Sequence, residues 1–146
     1  MINFSYGDVH LLAEELAVKV KKENPDYVVA VSRGGLVPGV ILSHLLNLPL
    51  EPIKWSTRDF AYQSDCIHIA DDVRNGARVL LVDDINDSGK TFIDILSNWG
   101  YNSESKGKVV TASIFQRSTT AQSSDYYGKL IDNDDWVGFP WERLYE

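Results

Sequence analysis

The stretch 80–91, LLVDDINDSGKT, joins an apolar run to three aspartates and a turn of small residues. Its apolar part belongs to VLLVDD at 79–84, the strongest strand candidate in the chain, because branched aliphatic residues dominate it. An unpaired carboxylate is costly to bury, so Asp83, Asp84 and Asp87 are poor choices for packing alone. The stretch therefore predicts a buried strand that ends at a ligand site.

Strands and helices alternate on both sides of this strand. Apolar, β-branched runs predict strands, and amphipathic spacing predicts helices. The predicted strands are 27–32, 50–55, 79–84 and 109–116, and the predicted helices are Val9–Lys22 with Asp8 as its N-cap, 40–47 and Thr91–Trp99. This alternation predicts an α/β fold with a mainly parallel central sheet flanked by helices. Ligands of such sheets bind outside the carboxyl ends of the strands.

Length and charge set the class of protein. The chain has 146 residues, a net charge of −7 and one cysteine, Cys66, which cannot pair internally. A single domain over 1–146 would bury roughly 68–70% of its unfolded surface and needs no disulfide. The acidic balance disfavours nucleic acid as a partner, and no apolar run approaches the ~20 residues that span a bilayer. With no signal-peptide pattern at the N-terminus, we expect a cytoplasmic protein.

Two loops follow predicted strands and should face one cleft. RGGLVPG at 33–39 offers Arg33, whose planar fork of donors suits phosphate, and glycines that let backbone amides point inward. DSGKT at 87–91 leads into a helix, whose N-terminal amides can bind a phosphate. Gly89 lets the backbone approach a ligand closely. Both loops therefore predict anion binding.

Three other motifs fail on spacing. A P-loop would need a glycine where Asp84 stands, and no G-x-G-x-x-G follows any predicted strand. A phospho-aspartate enzyme would end its strand in Asp-x-Asp, which neither Asp83 nor Asp84 supplies. These classes of site are therefore disfavoured.

VLLVDDINDSGKT resembles the motif of type I phosphoribosyltransferases, in which a strand ends in two acidic residues before a D-[ST]-G-x-T loop. VAVSRGGLVPGVILSHLL is similar to the first phosphate loop of the bacterial xanthine–guanine (hypoxanthine) members, and WVGFPWE to their purine-binding segment. The matches stand in the expected order and, with the strands between them, cover most of residues 27–142. The resemblance implies transfer of ribose 5-phosphate from phosphoribosyl pyrophosphate to a 6-oxopurine, with Mg²⁺ as cofactor.

The resemblance also implies roles for individual residues. Asp83 and Asp84 would bind the ribose hydroxyls, with Asp84 nearer the metal, and Arg33 and Gly34 would bind pyrophosphate. Asp87 would be the general base that takes the purine proton at N7. The residues expected to hold the 5′-phosphate are Asp87, Ser88, Gly89, Lys90 and Thr91.

For the purine, the resemblance places the ring of Trp136 on the base face and the backbone of Val137 at the base edge. Arg117 stands where the family has a lysine that contacts the 6-oxygen. A cation there favours 6-oxopurines over adenine, whose 6-amino group is itself a donor. Asp87 and these three residues form the predicted purine site, inside a purine-binding segment at about 132–142.

A lid is expected at about 56–77, a segment without clear periodicity that suggests a long excursion or hairpin. It begins with Ser56-Thr57-Arg58 where the relatives have Ser-Tyr elements. A further basic residue should contact pyrophosphate, and either Arg74 or Arg78 could supply it. Relatives assemble as dimers or tetramers, so the resemblance implies a homodimer or homotetramer.

Two alternatives stay open. The altered lid and Arg117 leave room for transfer to another base or acceptor. A catalytically weak nucleotide-sensing regulator could also keep the phosphoribosyl site and act by binding a partner. The retention of Asp87 favours an enzyme, because a sensor needs a phosphate loop but no base.

Overall fold

Five parallel strands form the central sheet of the protein, as seen in a computed structural model that describes residues 1–56 and 66–142. The strands of this sheet are β2 (Tyr27–Ser32), β3 (Leu50–Lys54), β4 (Arg78–Asn86), β5 (Lys108–Arg117) and β6 (Tyr126–Ile131), in the order β3-β2-β4-β5-β6. Two short parallel strands, β1 (Ile2–Asn3) and β7 (Val137–Gly138), pair separately. The helices are α1 (Tyr6–Val20), α2 (Leu36–Leu46), α3 (Ile67–Arg74) and α4 (Lys90–Asn98).

Helices cover both faces of the sheet. The buried side chains of α1 and Leu42 of α2 pack on one face, against β4 and β5 residues such as Leu80 and Val110. Residues of α3 and α4, among them Ile69 and Phe92, pack on the other face. The central strands are buried on both sides, which explains their nearly continuous apolar runs. The predicted α/β class with a mainly parallel sheet is confirmed.

The start of α1 differs from the prediction. Ser5, not Asp8, is the N-cap: the Asp8 N–H donates to Ser5 Oγ at 3.0 Å, and the Ser5 N–H donates to Asp8 Oδ2 at 2.8 Å. This reciprocal capping box satisfies two amides that the helix leaves without partners. The sequence prediction therefore assigned the N-cap to Asp8, which is the N3 residue of the capping box.

The second helix also begins earlier than predicted. It starts at Leu36 and not at residue 40, so Pro38 lies in the first turn. Proline is tolerated there because its missing N–H would have no helical partner. The helix ends at Leu46, and Asn47 follows with a φ of +54° in the left-handed conformation that often terminates helices.

Part of the predicted lid is helical. Ile67–Arg74 forms α3, with Ile69 and Val73 buried on one face. The expectation of a long excursion or hairpin over 56–77 is therefore wrong for this part. This helix has about two turns and buries only Ile69 and Val73, so the sequence shows too few apolar repeats to predict it. Residues 57–65, the rest of the lid prediction, lie outside the described residues.

Candidate active site

The predicted site residues lie at one edge of the sheet, where three adjacent strands end. β2 ends at Ser32, β4 runs through the acidic pair to Asn86, and β5 ends at Arg117. The peptide bond between Ser32 and Arg33 is cis. Because the strands are parallel and adjacent, their carboxyl ends bring the two loops predicted to bind phosphate, 33–39 and 87–91, and Arg117 to the same end of the sheet.

The acidic pair is held by the backbone that follows it. The Asp84 N–H donates to Asp83 Oδ1 at 2.8 Å, and the Ile85 N–H donates to Asp84 Oδ1 at 2.7 Å. Burial, and then the neighbouring Asp84 carboxylate, raise the pKa of Asp83 well above its usual range. Burial also raises the pKa of Asp84. Ionising both carboxylates is therefore costly, and hydroxyl donors or a cation beside them would lower that cost.

The glycine of the first loop lies directly against this pair. A Cβ atom at Gly34 would overlap Asp84 Oδ2, so any side chain would displace the carboxylate. The next residue, Gly35, is equally confined, since its Cβ would be 2.6 Å from the Val31 carbonyl oxygen. The loop predicted to bind pyrophosphate therefore touches the carboxylate predicted to lie nearest the metal.

This arrangement suits magnesium. The ion takes one or two protein carboxylates and completes its shell with water and substrate phosphates. Asp84 would supply one such carboxylate, and it lies directly beside the loop predicted to bind pyrophosphate. Within residues 1–56 and 66–142 there is no group of three or more potential metal ligands. The residues thus fit a substrate-assisted magnesium site better than a site built by protein ligands alone.

The second loop predicted to bind phosphate, 87–91, is a tight turn into α4. Gly89 has a φ of +90°, which favours glycine, and Lys90 is the first helical residue. The Lys90 N–H donates to Ser88 Oγ at 3.2 Å, while the Lys90 ammonium pairs with Asp94 Oδ2 at 2.7 Å. Lys90 therefore contributes its backbone to the loop and directs its charge along the helix surface.

More amides follow at the start of α4. The Ile93 N–H donates to the Gly89 carbonyl, and the amides of Thr91 and Phe92 precede it. First-turn amides have no partner within their helix and point toward the N-terminal end. The loop therefore presents a set of donors suited to a phosphate.

Arg117 joins the predicted base to the purine-binding segment. Its Nε donates to Asp87 Oδ1 at 3.2 Å, and its Nη1 donates to the carbonyl oxygens of Asn133 and Asp135 at 2.7 and 2.9 Å. The Arg117 side chain is buried, whereas that of Asp87 is 65% exposed. Of the Arg117 donors, Nε and Nη1 have these protein acceptors, whereas Nη2 has none within the described residues.

Trp136 and Val137 occupy different environments. Trp136 is 62% exposed and has its ring available for stacking, whereas Val137 is buried in the core. The Ile2 N–H donates to the Trp136 carbonyl at 2.8 Å, and the Phe4 N–H donates to the Gly138 carbonyl at 3.0 Å. The N-terminal strand β1 thus fixes the backbone on which the predicted stacking residue stands.

Aromatic side chains pack within and against the predicted purine-binding segment, 132–142. The rings of Phe139 and Trp141 are stacked with centroids 4.8 Å apart, and Phe139 lies 5.6 Å from Phe115. Phe4 packs against Phe115 at 4.3 Å. Trp141 is therefore a packing residue, and the segment packs on a cluster of aromatic side chains.

Neither candidate for the extra pyrophosphate contact lies near the site. Arg78 is the first residue of β4, six residues before Asp84, which corresponds to about 20 Å along a strand. It donates to the Glu23 carbonyl, and Arg74 pairs with Asp71 at the end of α3 beside it. Both arginines are at the amino edge of the sheet, so that prediction is wrong. Arg33 remains at the carboxyl edge and is exposed.

Comparisons with known proteins identify a family over nearly the whole chain. The family model of the phosphoribosyl transferase domain matches residues 5–145. The xanthine-guanine phosphoribosyltransferase of Idiomarina loihiensis is 30% identical over 143 residues, covering 94% of this chain and 84% of the relative.

Solved structures give the same family. A purine phosphoribosyltransferase from Pyrococcus horikoshii is 27% identical with a TM-score of 0.76, covering 99% of this chain and 96% of that one. The Helicobacter pylori xanthine-guanine-hypoxanthine enzyme is 26% identical with a TM-score of 0.75, covering 97% and 92%. The resemblance noted in the sequence is confirmed, and the chain belongs to the phosphoribosyltransferase family.

Proposed function

We propose that this protein is a purine salvage enzyme that transfers ribose 5-phosphate from phosphoribosyl pyrophosphate to a 6-oxopurine: guanine, xanthine or hypoxanthine. The observation that carries the proposal is the bridge from Asp87 through Arg117 to the segment 133–135. It joins a carboxylate at the phosphate loop to the segment that carries Trp136. A proton acceptor and a base-binding platform are thereby held on one crevice. The relatives named for xanthine and guanine support the choice of base class.

In the proposed reaction, a purine nitrogen forms a bond to the anomeric carbon of the ribose as the bond from that carbon to pyrophosphate breaks. The Asp87 carboxylate accepts the purine proton. Asp83 and Asp84 accept hydrogen bonds from the ribose hydroxyls, and the 87–91 loop holds the 5′-phosphate.

Charge on the departing pyrophosphate needs stabilisation as the sugar carbon becomes cationic. Arg33 supplies a fork of donors at the first loop. Mg²⁺, when bound at Asp84, would neutralise further charge on the leaving group. Water would be excluded by the part of the predicted lid (about 56–77) that precedes α3, because Ile67–Arg74 packs on the sheet. This role stays a prediction, and 57–65 lies outside the described residues.

The assembly and location follow the same proposal. We infer one domain over 1–146 that acts in the cytoplasm as a homodimer or homotetramer, and size-exclusion chromatography with light scattering measures the assembly. No described helix is long and apolar enough to cross a membrane.

A product assay tests the function. Purified protein, phosphoribosyl pyrophosphate and Mg²⁺ are incubated separately with guanine, xanthine, hypoxanthine, adenine, orotate and uracil, and nucleotides are separated by chromatography. We expect 6-oxopurine nucleotides, abolished by a chelator and restored by added Mg²⁺. Nucleotide from another base would favour the alternative acceptor. Binding of phosphoribosyl pyrophosphate without product from any base would favour a sensor.

Replacing Arg117 by methionine tests the base site. Methionine keeps an unbranched side chain but has no donor, so the hydrogen bonds to Asp87, Asn133 and Asp135 and any donation to the purine 6-oxygen are lost together. We expect the KM for the purine to rise about tenfold, equivalent to about 1.4 kcal/mol, and the KM for phosphoribosyl pyrophosphate to change far less. Steady-state kinetics with each substrate varied in turn measures the split. An unchanged purine KM would contradict the role of Arg117.

A further inference from the structure

Residues 118–125, here called the strap, connect two parallel strands without a helix. β5 ends at Arg117, but β6 begins at Tyr126, which pairs with Ala112 five residues back along β5. The strap must therefore return about 17 Å along the sheet. Parallel strands usually need a connection of a dozen or more residues, so this one is short.

Buried polar residues of β5 hold the strap as it returns. Gln116 Nε2 donates to Ser123 Oγ at 3.1 Å, and Asp125 N–H donates to Thr111 Oγ1 at 2.9 Å. Between them, the hydroxyls of Ser113 and Ser124 are 2.9 Å apart. These partners explain why polar side chains occur within an otherwise apolar strand, since a buried polar group needs a hydrogen bond.

Asn86 fixes the upper part of the strap to the end of β4. Its Nδ2 donates to the Gln122 carbonyl at 2.6 Å and to Ser124 Oγ at 3.1 Å. Its Oδ1 accepts from Thr120 Oγ1 at 3.2 Å. Asn86 is only 4% exposed, so these bonds are shielded from competing water.

The strap, in turn, holds the phosphate loop. The Ala121 N–H donates to the Ser88 carbonyl at 3.0 Å. A Cβ atom at Gly89 would be 2.7 Å from the Gln122 amide nitrogen, so the two backbones are in direct contact. The orientation of the peptides at Ser88 and Gly89 therefore depends on where the strap lies.

We propose that Asn86 is a positioning residue for the 5′-phosphate site, acting through the strap. Its hydrogen bonds fix the positions of Gln122 and Thr120 in the strap. The strap in turn fixes the orientation of the backbone peptides at Ser88 and Gly89. The inference rests on the proposed function, because it assigns the ligand of that loop. The general reason is that misplacing donors by a fraction of an ångström weakens a preorganised anion site.

Substitution of Asn86 by alanine, with Thr111→Val as a matched control, tests this. Both changes remove buried hydrogen bonds to the strap, three at Asn86 and the bond from the Asp125 N–H at Thr111, and Thr111 lies at the far end of the strap from the phosphate loop. We expect both variants to melt at lower temperature than the wild type. Only Asn86→Ala should raise the KM for phosphoribosyl pyrophosphate, by about tenfold, as expected from the loss of a buried hydrogen bond. The KM for the purine should be unchanged in both.

A second variant covers the case in which Asn86→Ala fails to fold. Thr120→Val removes one partner of Asn86 at a half-buried position and should raise the same KM by a smaller factor. Unchanged KM values for phosphoribosyl pyrophosphate in the folded variants, or an equal rise in Thr111→Val, would overturn the positioning role. A wild-type protein that forms no nucleotide from any base would instead overturn the proposed function.

Discussion

Asp87→Asn is expected to lower kcat by roughly two to four orders of magnitude, the range over which general-base residues contribute. Asparagine keeps a carbonyl oxygen that can accept from Arg117 Nε, so the bridge to the purine-binding segment should persist. What is lost is the carboxylate that accepts the purine proton. Binding of phosphoribosyl pyrophosphate, measured by calorimetry with Mg²⁺, should change little because the neighbouring loop amides stay in place.

The matched control is Asp71→Asn. Asp71 also forms an ion pair with an arginine, Arg74, but at the amino edge of the sheet and about half exposed. The same chemical change there should leave kcat and both KM values at wild-type levels. Near wild-type turnover by Asp87→Asn would remove Asp87 as the base. A large loss of phosphoribosyl pyrophosphate binding would assign it to ground-state binding instead.

The fold was predictable where one local signal dominated. The β-branched runs at 27–32 and 79–84 are buried on both faces, so their composition alone identified them as parallel strands. Cap positions were harder, because Ser5 and Asp8 exchange hydrogen bonds and either could be the N-cap from sequence alone. The short helix α3 was missed because it buries only Ile69 and Val73.

The site was predictable where its residues are contiguous. The two phosphate loops are local motifs, and their place at strand ends follows from the fold class. Arg78 was wrongly expected near pyrophosphate, because it begins β4 and the acidic pair lies toward the other end of the same strand. The length of the strand separates the two. Asn86 and Gln116 were overlooked as well. The signal that could have found them is a buried amide at the end of each of two adjacent strands, which must have a partner.

Asp83→Asn is expected to raise the melting temperature of the ligand-free protein at pH 8 and to abolish that advantage near pH 4. Burial and the charge of Asp84 raise the pKa of Asp83, so the folded state prefers the protonated form. Between the unfolded pKa of about 3.9 and the raised folded value, the folded state binds more protons than the unfolded state. Stability from this group is therefore present at low pH and is lost as pH rises. Asparagine removes the charge, and with it the cost at neutral and alkaline pH.

Glu23→Gln should show the opposite pH dependence under the same conditions. A hydrogen bond from Lys108 lowers the pKa of Glu23, so its carboxylate stabilises the folded protein above the unfolded pKa and ceases to do so as pH falls through the lowered value. Thermal unfolding without Mg²⁺ or substrate, followed at pH 4 and pH 8, compares the two variants. A lower melting temperature for Asp83→Asn at pH 8 would contradict the proposed cost of the Asp83 charge beside Asp84.

Asp83→Asn should also bind phosphoribosyl pyrophosphate roughly ten- to a hundredfold more weakly, because a charged acceptor contributes about 1.5–3 kcal/mol to a hydrogen bond. If Asp83→Asn gains stability and loses affinity for phosphoribosyl pyrophosphate, the acidic pair lowers the stability of the folded protein and serves ligand binding.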